Sequence, residues 1–205
     1  MRLSSPLEGE GIKITIDIPD WVVWIFVQPM LLFRLLWYGY TFRRIALNRG
    51  KYAIVDVRDY GWLSKSHWFV QDGQRTFYAV RRVTVREGGK QQVVWMHREI
   101  IGAADGEFVD HINHNGLDNR RANLRKATRA QNAQHRRKPR VKSKSKYKGL
   151  CWQKRTGKWH SRIHVNGVHK FIGSFTDEHE AAKAYDDAAK KYHGEFAVLN
   201  HPDGH

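Results

Sequence analysis

Asp110 and His111 stand side by side at the end of a short apolar run, followed by the asparagine-rich stretch Ile112 to Asn119, then Asn123-Leu124 and Asn132. That set offers one carboxylate, one imidazole and two neutral amides among arginines. A carboxylate and an amide oxygen suit a hard divalent cation. An imidazole takes a proton from water near neutral pH, and arginines suit phosphate. The chemistry these types describe is hydrolysis of a phosphodiester.

Charge points to the same substrate class. The 205 residues carry a formal charge of +16 and a pI of about 10.1, which implies a polyanionic partner. Between Asn119 and Thr176 there is no Asp or Glu, and 18 Lys and Arg. A solvated basic face is the bland reading of a short run; over so long a window nucleic acid is the expected partner. The window has no long apolar face to insert into a membrane. Cys151 is the only cysteine, which excludes an intramolecular disulfide and a multi-cysteine zinc site.

The elements that must position these residues read as follows. Residues 12–18 alternate apolar and polar, as a strand does. Residues 52–57 and 76–86 are strands, Glu87-Gly88-Gly89-Lys90 is a turn, and Gln91–Met96 returns as a hairpin partner. His97–Ile101 is a short helix. Phe108–Ile112 and Leu124–Thr128 are strands flanking the Asn/Gly loop, and Arg129–Arg137 is a basic helix. Because Asp110 and His111 are consecutive in a strand they point to opposite faces, so twist and the loop containing Gly116 must set both at a site. Arg136–Lys148 has eight positive charges in thirteen residues and no apolar periodicity, and reads as a linker that also suits a DNA backbone. Three short strands follow, Gly149–Gln153, Trp159–Val165 and Lys170–Ser174, with Thr156-Gly157 and Asn166-Gly167 at the turns. Asp177–Tyr192 is a helix capped by Thr176, with Ala181, Tyr185, Ala188 and Tyr192 on one face.

Trp21–Phe42 is apolar but holds Gln28, Pro29 and Arg34. Pro29 is expected to kink a helix, which leaves only a short uninterrupted apolar stretch. The reading preferred here is an amphipathic helix covering another part of the protein; membrane association is the other reading and is not the expected one. No cationic n-region with a small-residue cleavage site is apparent, so a signal peptide is not expected.

Two resemblances arise at these motifs. Val109–Asn132 resembles the HNH endonucleases, in the H-N-N variant common in phage and mobile-element enzymes. Tyr147–Pro202 resembles the DNA-binding domain of plant ethylene-responsive transcription factors, through Tyr147-Lys148-Gly149, Gly157-Lys158-Trp159, Ile172-Gly173-Ser174-Phe175, Glu180 to Asp186 and Ala197-Val198-Leu199-Asn200. Tyr52–Trp68 and the hairpin before Met96-His97-Arg98 also resemble the usual preamble of such enzymes. The resemblance implies an α+β protein: a ββα-metal nuclease domain, then a small three-stranded antiparallel sheet on one helix. It divides the chain into an extension (1–46), a nuclease domain (47–137), a basic linker (138–146) and a DNA-binding domain (147–205).

It further implies that Asp110 and Asn132 hold Mg²⁺ or Mn²⁺, that His111 is the general base, and that Asn123 fixes the loop and orients that base. Its DNA-contact positions fall on Lys148, Gln153, Arg162, His164, His169 and Phe171. Several family arginines are changed, Cys151 occupying one of them, which puts the plant target sequence out of reach. His114 is read as a solvated loop residue, Asn119 as a turn stabiliser and Trp159 as core; His97 either packs or touches the backbone. Double-stranded DNA is the expected partner, in a bacterial or phage-encoded protein of the cytoplasm, with no small-molecule cofactor. A non-cleaving DNA-binding regulator and a membrane-associated protein with a DNA-binding tail are the alternatives.

Overall fold

The computed structural model describes residues 2, 3, 16, 17, 19–84, 91–137 and 144–202. It is a mixed α and β protein that divides into two compact units, residues 1–100 with 111–124, and residues 101–110 with 125–205. In chain order the elements are β1 (Arg2–Leu3), β2 (Ile16–Asp17), α1 (Asp20–Tyr38), β3 (Arg43–Ala46), β4 (Tyr52–Val55), α2 (Val57–Leu63), β5 (Phe69–Asp72), β6 (Phe77–Thr84), β7 (Gln91–Trp95) and α3 (Met96–Ile101). Then come β8 (Phe108–His111), a 3-10 turn at Arg121–Asn123, β9 (Leu124–Ala127) and α4 (Arg129–Gln134). The chain closes with β10 (Leu150–Gln153), β11 (Lys158–Val165), β12 (Val168–Phe175), α5 (Glu178–His193) and a 3-10 turn at Gly194–Phe196.

In the first unit, β5, β6 and β7 form an antiparallel meander, and β3 pairs with β4. Ala53 and Val55 of β4 are fully buried, as is Leu63 at the end of α2. Removing the Val55 or Leu63 side chain from water contributes about 1.5–3 kcal/mol. β4 also carries the asparagine loop: the Ile54 N–H donates to Leu117 C=O at 2.8 Å, and the Asn119 N–H to Ile54 C=O at 2.7 Å. α2 holds the other end of that loop. Its buried Asp59 accepts from Arg121 Nε at 2.8 Å and Nη2 at 2.9 Å. Gly116 lies where a Cβ would meet Phe77 C=O at 2.5 Å, so the loop approaches β6 more closely than any side chain permits.

In the second unit, β10, β11 and β12 form an antiparallel sheet. α5 lays Ala181, Ala182, Tyr185 and Ala189 on it, over Leu150, Ile163 and Val165. Small alanines allow the close approach, and Gly149 is its tightest point: φ is +81° and a Cβ there would meet the Tyr185 ring at 2.1 Å. Fully buried Asp186 fastens the tail to α5, accepting from the N–H groups of Asn200 at 2.7 Å and His201 at 3.0 Å.

Several expectations change. The chain remains helical through Pro29, so the proline does not divide the apolar stretch. Nor is α1 an amphipathic cover, since Leu31 is its only buried side chain among the described residues and large apolar groups are exposed along its length. The N-cap of α5 is Asp177, not Thr176; its carboxylate accepts from the Glu180 N–H at 2.9 Å, where an anion also complements the helix dipole. Helix α2 and strands β3 and β5 were not foreseen. The 87–90 turn, most of the 12–18 strand and residues 138–143 of the basic segment lie outside the described residues.

Candidate active site and nucleic-acid surface

His111 belongs to the first unit. It is 6% exposed, and its Nε2 lies 3.2 Å from Asn119 Oδ1. An amide oxygen only accepts, so with this orientation Nε2 carries the hydrogen and Nδ1 is the basic ring atom. The imidazole packs edge-on against His97 at 5.0 Å between centroids and tilted against Tyr78 at 5.8 Å. Burial, then the charges of His111 and Arg98, push the His97 pKa down to about 3. His97 therefore stays neutral beside His111 and adds no competing charge.

Asn123 holds the loop. Its Oδ1 accepts from the Asn113 N–H at 2.9 Å and its Nδ2 donates to Asp118 C=O at 2.7 Å. Asn113 and Asn115 form successive side-chain-to-backbone turns, accepting from the N–H groups of Asn115 at 2.9 Å and Leu117 at 3.1 Å, the habit that places asparagine in such loops. The Asp118 carboxylate takes Arg120 Nε at 2.7 Å and Asn113 Nδ2 at 2.8 Å. The asparagine amide that contacts the imidazole is thus that of Asn119, read from sequence only as a turn former, while Asn123 acts on the loop's backbone.

Asp110 belongs to the second unit. Its Oδ1 lies 2.9 Å from His135 Nδ1, and its Oδ2 accepts from Arg125 Nε at 2.9 Å. Burial raises its pKa, but the hydrogen bonds from His135 and Arg125 outweigh burial, and the net shift is downward. The carboxylate is accordingly held ionised. Arg125 is fixed in turn: Nη1 donates to Glu195 C=O at 2.8 Å and the guanidinium stacks 3.7 Å from the Phe196 ring centroid. Asn132 is half-buried in α4, a helix begun by a capping box in which Thr128 Oγ1 accepts from the Gln131 N–H at 3.2 Å and Gln131 Oε1 from the Thr128 N–H at 2.8 Å.

Among the described residues, no three His, Cys, Asp or Glu side chains group as a metal site. By residue type an ionised carboxylate and an amide oxygen fit a hard cation, which keeps water for the rest of its shell. Asp110 Oδ1 has His135 Nδ1 at 2.9 Å, while Oδ2 is crowded by Arg125 Nε at 2.9 Å, Arg125 Nη2 at 2.8 Å and His135 Nδ1 at 2.9 Å, so Oδ1 is the less occupied oxygen.

On the sheet of the second unit, Arg162 faces Phe171 and His164 faces His169 across β11 and β12. All four are exposed, and the two histidines meet at 4.8 Å. Buried Ser161, Ile163 and Val165 alternate with them toward α5. Gln153 is half-buried at the end of β10, opposite Lys158. Lys148 precedes the sheet and its Nζ donates to Gln134 C=O at 2.7 Å. Trp159 packs against the core and on Trp152, 4.9 Å between centroids.

Arg125 and His135 were missed by the sequence reading. His135 comes three residues after Asn132, one helical turn, which is a usable signal. Nothing local marks Arg125 among so many arginines.

The HNH endonuclease family model matches residues 89–134. An uncharacterised HNH endonuclease of Acanthamoeba polyphaga mimivirus is 29% identical over 169 residues, 79% of this chain and 81% of that protein. An AP2-like ethylene-responsive transcription factor of Arabidopsis thaliana is 46% identical over 65 residues, 32% of this chain and 13% of its own length. APETALA2-like protein 2 of Oryza sativa subsp. indica is 45% identical over 65 residues, 15% of its length. The chain thus spans only a small part of these plant relatives. It resembles an HNH endonuclease joined to a segment similar to the DNA-binding domain of ethylene-responsive transcription factors.

Proposed function

We propose that the protein is a metal-dependent DNA endonuclease of HNH type, of the homing or mobile-element-associated kind, working on DNA in the cytoplasm. The domain bounds proposed are 47–137 for the ββα-metal nuclease and 147–205 for the DNA-binding domain, joined by residues 138–146. The observation that carries the reading is the Asn119 amide on His111 Nε2, in the segment that matches HNH endonucleases. With Nε2 held, Nδ1 takes the proton from the attacking water as general base. Asn119 fixes the ring's rotation and tautomer, and Asn123 keeps the loop that carries Asn119.

Asp110 and Asn132 would hold Mg²⁺ or Mn²⁺. The ion supplies charge stabilisation on the phosphate and the leaving oxygen. Lys148, Gln153, Arg162, His164, His169 and Phe171 are the proposed DNA contacts. Among them Arg162 is suited to guanine or phosphate, while Lys148 would first release a backbone carbonyl.

A second reading, a non-cleaving DNA-binding regulator, is favoured by one observation: both oxygens of Asp110 already take donors from Arg125 and His135. Supercoiled plasmid separates the two. Nicked or linear product with Mg²⁺ or Mn²⁺, abolished by chelator, supports the nuclease; DNA binding without product in either metal supports the regulator.

A further inference from the structure

Helix α1 does not behave as a helix of a water-soluble unit should. Trp21 is 66% exposed, Phe26 74%, Leu36 79% and Trp37 73%. At roughly 100° per residue, the exposed side chains of Ile25, Phe26, Tyr38 and Leu35 point to all sides of the cylinder. A protein groove covers one side of a helix; only a surround of apolar material covers every side. Trp21–Tyr38, 18 residues, is long and apolar enough to cross a membrane. The full helix of 19 residues is roughly 28 Å long at 1.5 Å per residue, against about 30 Å of hydrocarbon in a bilayer.

The ends carry the marks of two interfaces. Trp21 and Trp24 stand in the first turns, and Trp37, Tyr38 and Tyr40 at the other end; amphipathic rings collect at the headgroup level of both leaflets. The flanks differ in charge. Residues 39–53 contain Arg43, Arg44, Arg49 and Lys51 and no acid, whereas residues 5–19 contain Lys13 against Glu8, Glu10 and Asp17. Arg34 is the only basic residue within the helix. One turn from its C-terminal end, it reaches toward the basic flank, donating to Phe42 C=O with its guanidinium 4.2 Å from the Phe42 ring centroid. Long cationic side chains near a span's end do this to keep their charge out of hydrocarbon. Pro29 in mid-helix is tolerated in spans.

We propose that α1 spans a lipid bilayer, with residues 39–205 on the cytoplasmic face, so that a DNA-binding protein is tethered to the membrane. The orientation follows from the basic flank, since the short segment richer in Lys and Arg stays inside. The proposal is independent of whether the protein cleaves DNA.

The exposed Cys151 is the only cysteine, which makes the full chain its own topology reporter. In bacterial spheroplasts expressing it, a membrane-impermeant maleimide is expected to label Cys151 only after lysis. A variant combining Cys151→Ser with Ser4→Cys is expected to label in intact spheroplasts. The wild type should sediment with membranes and resist alkaline carbonate. Leu32→Lys with Leu36→Lys, both exposed, should shift at least about ten-fold more protein to the soluble fraction, with circular dichroism and DNA binding preserved. Four results would each overturn the proposal. One is carbonate-extractable or soluble wild type, and another is labelling of both positions from the same side, which means a surface-lying or protein-bound helix. The others are a mature N-terminus beyond residue 38, which means a cleaved leader, and lysine variants that stay in the membrane.

Discussion

Asp110 and His111 are consecutive residues, both almost fully buried, and their surroundings differ in kind. Asp110 is gripped by a guanidinium and an imidazole and is held as an anion. His111 has a neutral amide and the rings of His97 and Tyr78 around it. The pleat of a strand makes this possible, since successive side chains leave it in opposite directions. A fixed anion beside a fixed cationic partner is poised to hold charge. An imidazole held at one nitrogen by an amide is placed to work through its other nitrogen. Two adjacent positions can thus be given opposite duties.

The widest gap between the two should open in cleavage. His111→Ala is expected to lower the rate by about 10²–10⁴-fold while DNA affinity stays within a factor of two or so. Unaltered turnover in that variant would put the proton acceptor elsewhere. Asp110 should respond mainly in metal dependence and stability. Asp110→Asn is expected to remove the response to Mg²⁺, measured as rate against metal concentration. Asp110→Ala removes the carboxylate partner of the half-buried Arg125 and should cost about 3 kcal/mol in denaturant unfolding; a loss under about 1 kcal/mol would mean that Arg125 finds another partner.

The burial of His97 beside His111 has a pH signature. His97 titrates at 6.5 when unfolded and at about 3 when folded. Below pH 6.5 the unfolded chain binds a proton that the folded one refuses. The His97 contribution is therefore fully present above 6.5 and is lost by roughly 1.4 kcal/mol per pH unit as pH falls toward 3. His97→Phe should flatten that slope in urea titrations at pH 7 and pH 5; an unchanged slope would show that other groups set it. The smallest effect belongs to Asn119→Ala. It is expected to lower kcat about ten-fold with KM unchanged, with partial recovery in Asn119→Gln, because it acts through the orientation of His111; a change in KM alone would assign Asn119 to DNA binding.

The order of strands and helices from Phe108 to Gln134 and from Leu150 to His193 was readable because alternation, asparagine-glycine turns and caps are local. Strands β3 (Arg-Arg-Ile-Ala) and β5 (Phe-Val-Gln-Asp) do not alternate apolar and polar residues, and α2, at seven residues, is too short to show a helical period. The His111–Asn119 contact was not readable either, since the two lie eight positions apart across a loop. It depends on β4 holding the Asn119 backbone from more than sixty positions upstream. In α1 the residue types were plain but the inference from Pro29 was not, because a proline removes a single hydrogen bond and leaves a helix with enough turns to continue past it.

The central claim is that His111 activates water for phosphodiester cleavage. Its most direct test is single-turnover cleavage of supercoiled plasmid by wild type and His111→Ala in Mg²⁺ across pH 5.5–8.5, with DNA affinity measured in parallel. The account predicts a wild-type rate that rises with pH through the imidazole range and levels off, and a variant that binds equally but cuts at least about a hundred-fold more slowly. A variant that matches wild type in rate and pH profile, at equal affinity, would contradict it.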